Sequence, residues 1–338
     1  MHALLRRQIR ILAALLVLTP AFWLGAPTVA DSPKPAREQT LLFAGDIMLS
    51  RTVGKKMAAE DDYKYPFEKI GPMLKAADLA FANLECPVSD VGRNKGHLYS
   101  FRADPRVMEG LNFAGFDVLS VANNHMDDWG HAALVDTLDR LRAAGIRPVG
   151  AGRNDLEAHY PVLVNLHGVR IAFLAYVDVP PKDATAGLDR PGVAWLVPDR
   201  ALADIRFARP LADIVIVSLH WGIEYMRKPQ KRQVELAHRM IDAGADLIVG
   251  GHPHIVQPLE EYKGKYIAYS LGNFIFDQHD PPTHHGLMLK VTLDGKKISS
   301  VEGIPIDIDG TLQAVVSPEA KLAEKEQATK KTAAVGAE

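Results

Sequence analysis

The sequence contains a single cysteine, Cys86, among 338 residues, so no disulfide can form within the chain. Stability has to come from a packed core and from any metal the chain binds. Cys86 stands beside Pro87 with no basic pair nearby, which is the setting of a packing residue rather than of a nucleophile. A dominant charge is also missing: Lys and Arg number 39 against 41 Asp and Glu, for a formal net charge of −2. No sustained basic stripe lies outside the extreme N-terminus, which excludes nucleic acid as the expected partner. There is no internal repeat.

What is present is ordinary for a globular protein. Hydrophobic residues make up 47% and charged residues 24%, so a disordered or fibrous chain is excluded. The length suits one large domain or two modest ones. Residues 1–30 read as a targeting segment. Arg6, Arg7 and Arg10 precede an apolar stretch interrupted by Pro20 and Pro27, and Thr28-Val29-Ala30 resembles a cleavage site. Left uncleaved, the same stretch is near the ~20 residues of a membrane anchor. Either way the remainder is expected outside the cytoplasmic membrane. Residues 31–39 form a polar linker, 40–317 the domain, and 318–338 a solvated Ala/Lys/Glu-rich tail.

From residue 40 onward, short apolar runs alternate with helical patterns. Segments 40–44, 79–82, 118–121, 171–176, 214–219 and 247–249 read as buried strands. Segment 133–143 places Leu134, Leu138 and Leu141 on one helical face and stops at Gly145. Segment 230–242 follows Pro229, spaces Val234, Ala237 and Ile241 along one face, and stops at Gly244. This alternation predicts parallel βαβ units, an α/β fold. Segments 261–270, 287–293 and 298–308 read as hairpin strands around Lys263-Gly264 and Asp294-Gly295 turns.

The chemistry gathers where these strands end, which is where open α/β sheets bind ligands. Successive strands run into Asp46, into Asn83 and Glu85, into Asn124 and His125, into His220, and into His252 and His254. Taken singly, each is explained as a helix cap, a turn or a core histidine. Five such loops together are better explained by a metal site. His252 and His254 would share one side of an extended segment. The mixed nitrogen and oxygen donors suit one or two divalent ions such as Mn, Fe or Zn.

Further positions admit two readings each. Arg51 holds a phosphate or carboxylate, or makes a surface ion pair. Asn83 orients Glu85 or touches substrate, or it stabilises its turn. Glu224 supports His220 or simply begins a loop. Asn273 touches substrate or supports a ligand, or it only forms the Gly272-Asn273 turn; the loop after it, carrying Asp277, His279, His284 and His285, closes over the pocket or leaves its histidines uncommitted. Trp221 reads as packing.

The segments FAGDIM, ANLECPVS, VANNHMDD, VSLHWGIEY, GGHPHIVQP and YSLGNFIFDQ, spread over residues 43–278, resemble the signature blocks of the CapA family of capsule and poly-γ-glutamate synthesis. That family in turn resembles the calcineurin-like metallophosphoesterases. The resemblance implies a four-layer α/β/β/α sandwich holding two metal ions between its sheets. By position, Asp46 matches the first-strand metal aspartate and Glu85 takes the place of the bridging one. Asn124 matches the Asn ligand, and His125 the histidine that contacts phosphate and leaving group. His220 and His252 are implied ligands of the ion shared with Asn124, and His254 of the ion shared with Asp46. One departure stands out: Met48 occupies the histidine position of the first block, and a thioether is a poor ligand for hard ions. The expected function is metal-assisted hydrolysis or transfer at a phosphoester or amide of an anionic polymer. The rivals are a non-catalytic, metal-bound partner of a membrane synthase and a general phosphoesterase.

Overall fold

The computed structural model describes residues 38–318. The expected targeting segment, most of the linker and the tail beyond residue 318 lie outside them. Strand β1 (Gln39–Ile47) opens the fold and is buried at every position but Thr40. Helices α1 (Arg51–Glu60) and α2 (Gly71–Ala76) lead to β2 (Leu79–Leu84). Helix α3 (Met108–Ala114) leads to β3 (Val118–Ser120), and α4 (Gly130–Ala143) to β4 (Arg147–Val149). These four strands pair in parallel, as the apolar runs predict.

After β5 (Ala151–Gly152) and α5 (Asp155–His159) a second sheet begins with β6 (Val162–Leu166) and β7 (Val169–Val177). Short β8 (Gly192–Val193) pairs back with β5. Helix α6 (Pro198–Ala208), β9 (Ile214–His220), α7 (Lys231–Ala243) and β10 (Leu247–Gly251) follow. The hairpin of β11 (Leu259–Tyr262) and β12 (Lys265–Ala268) completes this sheet. The chain then returns to the first sheet through β13 (Asn273–Ile275), β14 (His285–Asp294), β15 (Lys297–Ile308) and β16 (Ala314–Val316). The first sheet has the order β16-β15-β14-β1-β2-β3-β4 with β13 paired to β1, and the second the order β11-β12-β10-β9-β7-β6.

Side-chain alternation explains the layering. In β7, Ile171, Phe173, Ala175 and Val177 join the core shared with the first sheet, whereas Ala172, Leu174 and Tyr176 join helices α6 and α7. The two sheets meet face to face, with Phe81 of β2 stacked on Phe173 of β7 at a centroid distance of 5.7 Å. Helices α1 to α4 pack with the first sheet. The expected α/β architecture is therefore present, and both expected hairpins form at their turns. Lys263 and Gly264 both take positive φ, 52° and 70°, the backbone that a tight hairpin requires.

Helix α7 begins with a reciprocal Gln230–Gln233 cap and ends at Gly244, within one residue of the expected span. Helix α4 begins at Gly130, three residues before the expected start. Strands β4, β5, β8, β13 and β16 carry no sequence expectation. At two or three residues each, they are too short to show a period.

One local irregularity positions the site. The β1–β2 register shifts between Phe43 and Asp46, which leaves Asp46 beside Asn83 on one side and Asn273 of β13 on the other. Across the sandwich, Gly251 pairs with His220. A Cβ on Gly251 would lie 2.5 Å from Asp46 Oδ1, so the sheets close on the carboxylate only because this residue has no side chain.

Candidate metal centre

The carboxyl ends of β1, β2, β9 and β10 deliver the side chains singled out above to one buried nest. Asp46, Glu85, His220, His252 and His254 are all at most 4% exposed. Asn83 lies between them. Its amide nitrogen donates to Asp46 Oδ1 at 2.8 Å and lies 3.4 Å from Glu85 Oε2 and 3.2 Å from His220 Nδ1. Asn123 fixes that orientation by donating to Asn83 Oδ1 at 3.1 Å and to the Leu84 carbonyl at 2.8 Å. Asp46 Oδ2 in turn accepts the backbone N–H of His252 at 3.0 Å.

The imidazoles come mainly from the second sheet. His220 Nε2 lies 2.8 Å from Asn124 Oδ1. His254 Nδ1 lies 2.9 Å from Asn273 Oδ1 and 3.7 Å from Asp46 Oδ2, while its Nε2 is 3.7 Å from Glu85 Oε1. His252 and His254 do not form an extended segment. Both have positive φ, 92° and 59°, around Pro253, whose ring fixes its own φ. The strained turn still brings the two rings within 5.8 Å. Such backbone outliers concentrate at functional sites.

Distance sorts the ligand atoms into two groups. Those of Asp46, Glu85 and His220 lie within 4.8 Å of one another, as do those of Glu224, His252 and His254. The family resemblance sets His220 with His252 and Asn124 instead. Asn124 touches His220, whose ring lies 4.9 Å from that of His252, so the two groups adjoin.

The electrostatics fit a divalent cation. Burial pushes the Asp46 carboxyl up to about 6, against the opposing hydrogen bonds from His252 and Asn83. Burial, then the charges of Asp46, Glu224 and Asp128, holds Glu85 well above the usual carboxylate range. Burial and mutual repulsion hold His220 well below its ordinary value. The same causes lower His252 to about 3, and burial lowers His254 to about 4 against its bond to Asn273. Glu85 Oε1 and His252 Nδ1 are buried without a hydrogen-bond partner among the described residues. Acids that hold their protons more tightly than usual, imidazoles held neutral and orphaned donor atoms together describe a site that a cation would satisfy. The donor set is nitrogen and oxygen throughout. Cys86 is buried elsewhere, its thiol pushed up to about 12 by burial.

His125 sits at the edge of this nest. Its Nδ1 is 2.8 Å from Asp128 Oδ2, and its Nε2 is 4.0 Å from Glu85 Oε1. Phe101 stacks on the imidazole at 4.0 Å, and its N–H also bonds Asp128 at 2.7 Å. A cleft of about 220 Å³ opens above, its lining including Arg51, Tyr99, Phe101, His125, Glu224, Tyr225, His254, Gln278, His279 and Asp280.

The remaining positions resolve as follows. Arg51 makes an ion pair, though with buried Asp277 at 3.4 Å instead of a surface partner, and it also lines the cleft. Asp277 additionally accepts the Thr52 N–H at 2.9 Å. Met48 is fully buried in the core, its sulfur accepting from the Ser50 N–H and hydroxyl at 3.2 and 3.0 Å. His284 bonds the Gln278 carbonyl and His285 pairs with Asp307, so of the three loop histidines only His279 lines the cleft. Trp221 packs on Tyr269 and donates to its carbonyl. Asp128, Phe101 and Tyr225 escape a reading of the sequence, while Asn123, which stands with Asn124 and His125 at a strand end, proves to orient Asn83. Asp128 has a local signal, a carboxylate three residues after His125. Phe101 and Tyr225 have none.

Residues 40–278 match the family described as bacterial capsule synthesis protein PGA_cap. The chain is 35% identical over 329 residues to the capsule biosynthesis protein CapA of Bacillus anthracis, spanning 94% of this chain and 79% of that protein. It is 37% identical over 280 residues to the PGA biosynthesis protein CapA of Bacillus subtilis, spanning 81% and 73%. Among solved structures, the calcineurin-like phosphoesterase YfkN from Bacillus subtilis superposes with a TM-score of 0.50 at 15% identity, over 87% of this chain and 97% of that one. A hypothetical protein from Thermus thermophilus gives 0.50 at 16% identity, over 80% and 99%. The structural likeness speaks to the fold, which is of the calcineurin-like metallophosphoesterase type. The sequence matches go further and extend over most of the chain: this protein belongs to the bacterial capsule synthesis family of CapA.

Proposed function

We propose that the chain is an exported, metal-dependent hydrolase or transferase acting at an amide or phosphoester bond of an anionic, poly-γ-glutamate-type polymer. The observation that carries this reading is the His125–Asp128 pair. An imidazole held by a buried carboxylate at the edge of the nest, with its other nitrogen 4.0 Å from Glu85, is placed for proton transfer. The polymer enters through the relatives, whose names concern capsule and PGA biosynthesis.

One or two divalent ions, held by Asp46, Glu85, Asn124, His220, His252 and His254, would supply Lewis acidity to the scissile group and to water. The protein's own residues do the rest. Asp128 accepts the Nδ1–H of His125 and so fixes the tautomer, leaving Nε2 to accept a proton or, once protonated, to donate one to the leaving group. Phe101 covers one face of that ring and excludes water from it. Arg51, braced by Asp277, holds a carboxylate or phosphate of the substrate.

The test measures bound metal and turnover in the full chain, on γ-glutamyl oligomers and on small phosphodiesters, against His125→Ala and His252→Ala. Metal lost in His252→Ala, together with turnover lost but metal kept in His125→Ala, supports the reading. Broad turnover of small phosphoesters, with the oligomers untouched, replaces the polymer by a general phosphoesterase substrate. No metal under manganese, iron or zinc supply overturns it. Export is tested separately, by fractionating cells that carry the tagged chain and sequencing its N-terminus.

A second reading is kept for one observation. Met48 fills a ligand position with core packing, as a metal-bound polymer-binding partner of a membrane synthase could tolerate. Metal retained without turnover on either substrate class would select it.

A further inference from the structure

Three hollows with shared lining residues adjoin the centre. The cleft above His125 shares Arg51 with a second hollow of about 430 Å³. On its other side it shares Tyr225 and Asp280 with a third of about 180 Å³, which reaches Arg227. The second hollow is chemically one-sided. Three cations (Arg51, Lys55 and Arg102) and three hydroxyls (Ser50, Thr52 and Ser100) line it with Trp129, and no carboxylate does.

Cations elsewhere on this protein are usually neutralised. Lys56, Lys69, Lys95 and Arg140 each pair with a carboxylate. Among the described residues, no carboxylate lies within 4.0 Å of Lys55 or Arg102. Lys55 follows Arg51 by four residues on α1, so two like charges share one helix face. Arg102 lies flat over the Trp129 ring at 3.4 Å, which fixes its guanidinium. The Trp129 indole N–H is buried without an acceptor among the described residues. Arg51 is already paired with Asp277, so an anion laid across this shelf would pair Lys55 and Arg102 and find donors already oriented.

We infer that the shelf formed by Arg51, Lys55 and Arg102 is a subsite for successive carboxylates of the polymer on one side of the scissile bond. The protein thus grips an extended chain across its centre, and not a terminal unit alone. Three separated cations suit several monoanionic groups in a row better than one phosphate. The inference rests on the polymer reading above and adds a place and a direction to it.

The test is fluorescence anisotropy of labelled γ-linked glutamate oligomers of increasing length with the full chain, at low and high salt. The variants are Lys55→Gln/Arg102→Gln and the single Lys55→Glu, which leaves the Arg102–Trp129 stack untouched. The wild type binds longer oligomers more tightly. The variants flatten that length dependence, lose about tenfold in affinity for the longest oligomer and show a shallower salt dependence. Length and salt dependence equal to wild type in a folded Lys55→Glu protein would overturn the shelf. A wild type that binds metal but no oligomer of any length would instead overturn the polymer reading itself.

Discussion

The two sheets contribute different elements to the same centre. The first sheet and its loops supply the oxygens: Asp46, Glu85, the amides of Asn83 and Asn124, and Asn273. The second supplies His220, His252 and His254. His125 is the one imidazole from the first side, and it alone of the four is oriented by a carboxylate of its own loop. Burial acts on both sheets with opposite consequences. It keeps protons on the acids and off the imidazoles. A cation must therefore compete with protons on one sheet and finds free ligands on the other.

The sharpest way to break this comparison is to remove one donor from each side. Glu85→Gln should weaken metal binding at least about 100-fold, read by titration calorimetry, since a ligand is lost outright. The metal-free protein should unfold no more easily than wild type, because the buried acid costs it stability. His252→Ala should lose metal to a similar degree and also destabilise the metal-free fold by about 2 kcal/mol through the cavity it leaves. Equal denaturation midpoints for the two metal-free variants would remove the distinction.

Next in size is Asp128→Asn. Turnover should fall about 100-fold while metal content stays intact, because the tautomer of His125 is no longer fixed. Loss of metal in this variant would move Asp128 from positioning His125 to supporting the ion.

Acidity should then separate the sheets in the intact protein. Asp46 holds its proton up to about pH 6, so apparent metal affinity should rise about tenfold per pH unit up to there and more gently above. The same raised acid makes the metal-free fold lose stability as pH climbs from about 4 through 6, since the folded state keeps the proton longer than the unfolded one. His252 and His254, depressed to about 3 and 4, have the opposite sign and withdraw stability as pH falls below about 6.5. Metal affinity flat between about pH 5 and 7 would contradict the assignment of the competing proton to the acids.

Two smaller tests sharpen the seam. Gly251→Ala should cost about 1–3 kcal/mol in urea denaturation, because the added methyl meets the Asp46 carboxylate. Met48→Leu should cost less than about 1.5 kcal/mol and leave metal content unchanged, as a packing role requires.

The nest is legible in the sequence because each ligand directly follows an apolar run, and such runs announce strand ends. The β1, β2, β9 and β10 loops are found this way. What escapes detection is non-local or short. Asn123 is visible at a strand end, but its action on an amide 40 residues away in sequence is not, Phe101 sits in a loop with no pattern, and β13 is three residues long. The left-handed turn at His252 and His254 is also invisible, since neither residue is glycine and only their packing demands it. The basic shelf joins α1 to the loop before α3, a juxtaposition that only the folded chain makes.

The hydrogen bond from the His252 N–H to Asp46 spans 206 residues, and that from Thr52 to Asp277 spans 225. Contacts of such long range are the slowest to form. Synthesis from the N-terminus delivers Asp46, Glu85 and Asn124 long before His252 and His254. No partial chain ending ahead of residue 252 can assemble the centre, and a proteolytic cut between the sheets would separate donors that function only together. The candidate site therefore draws on both halves of the chain, and its assembly reports that the two sheets have closed on each other.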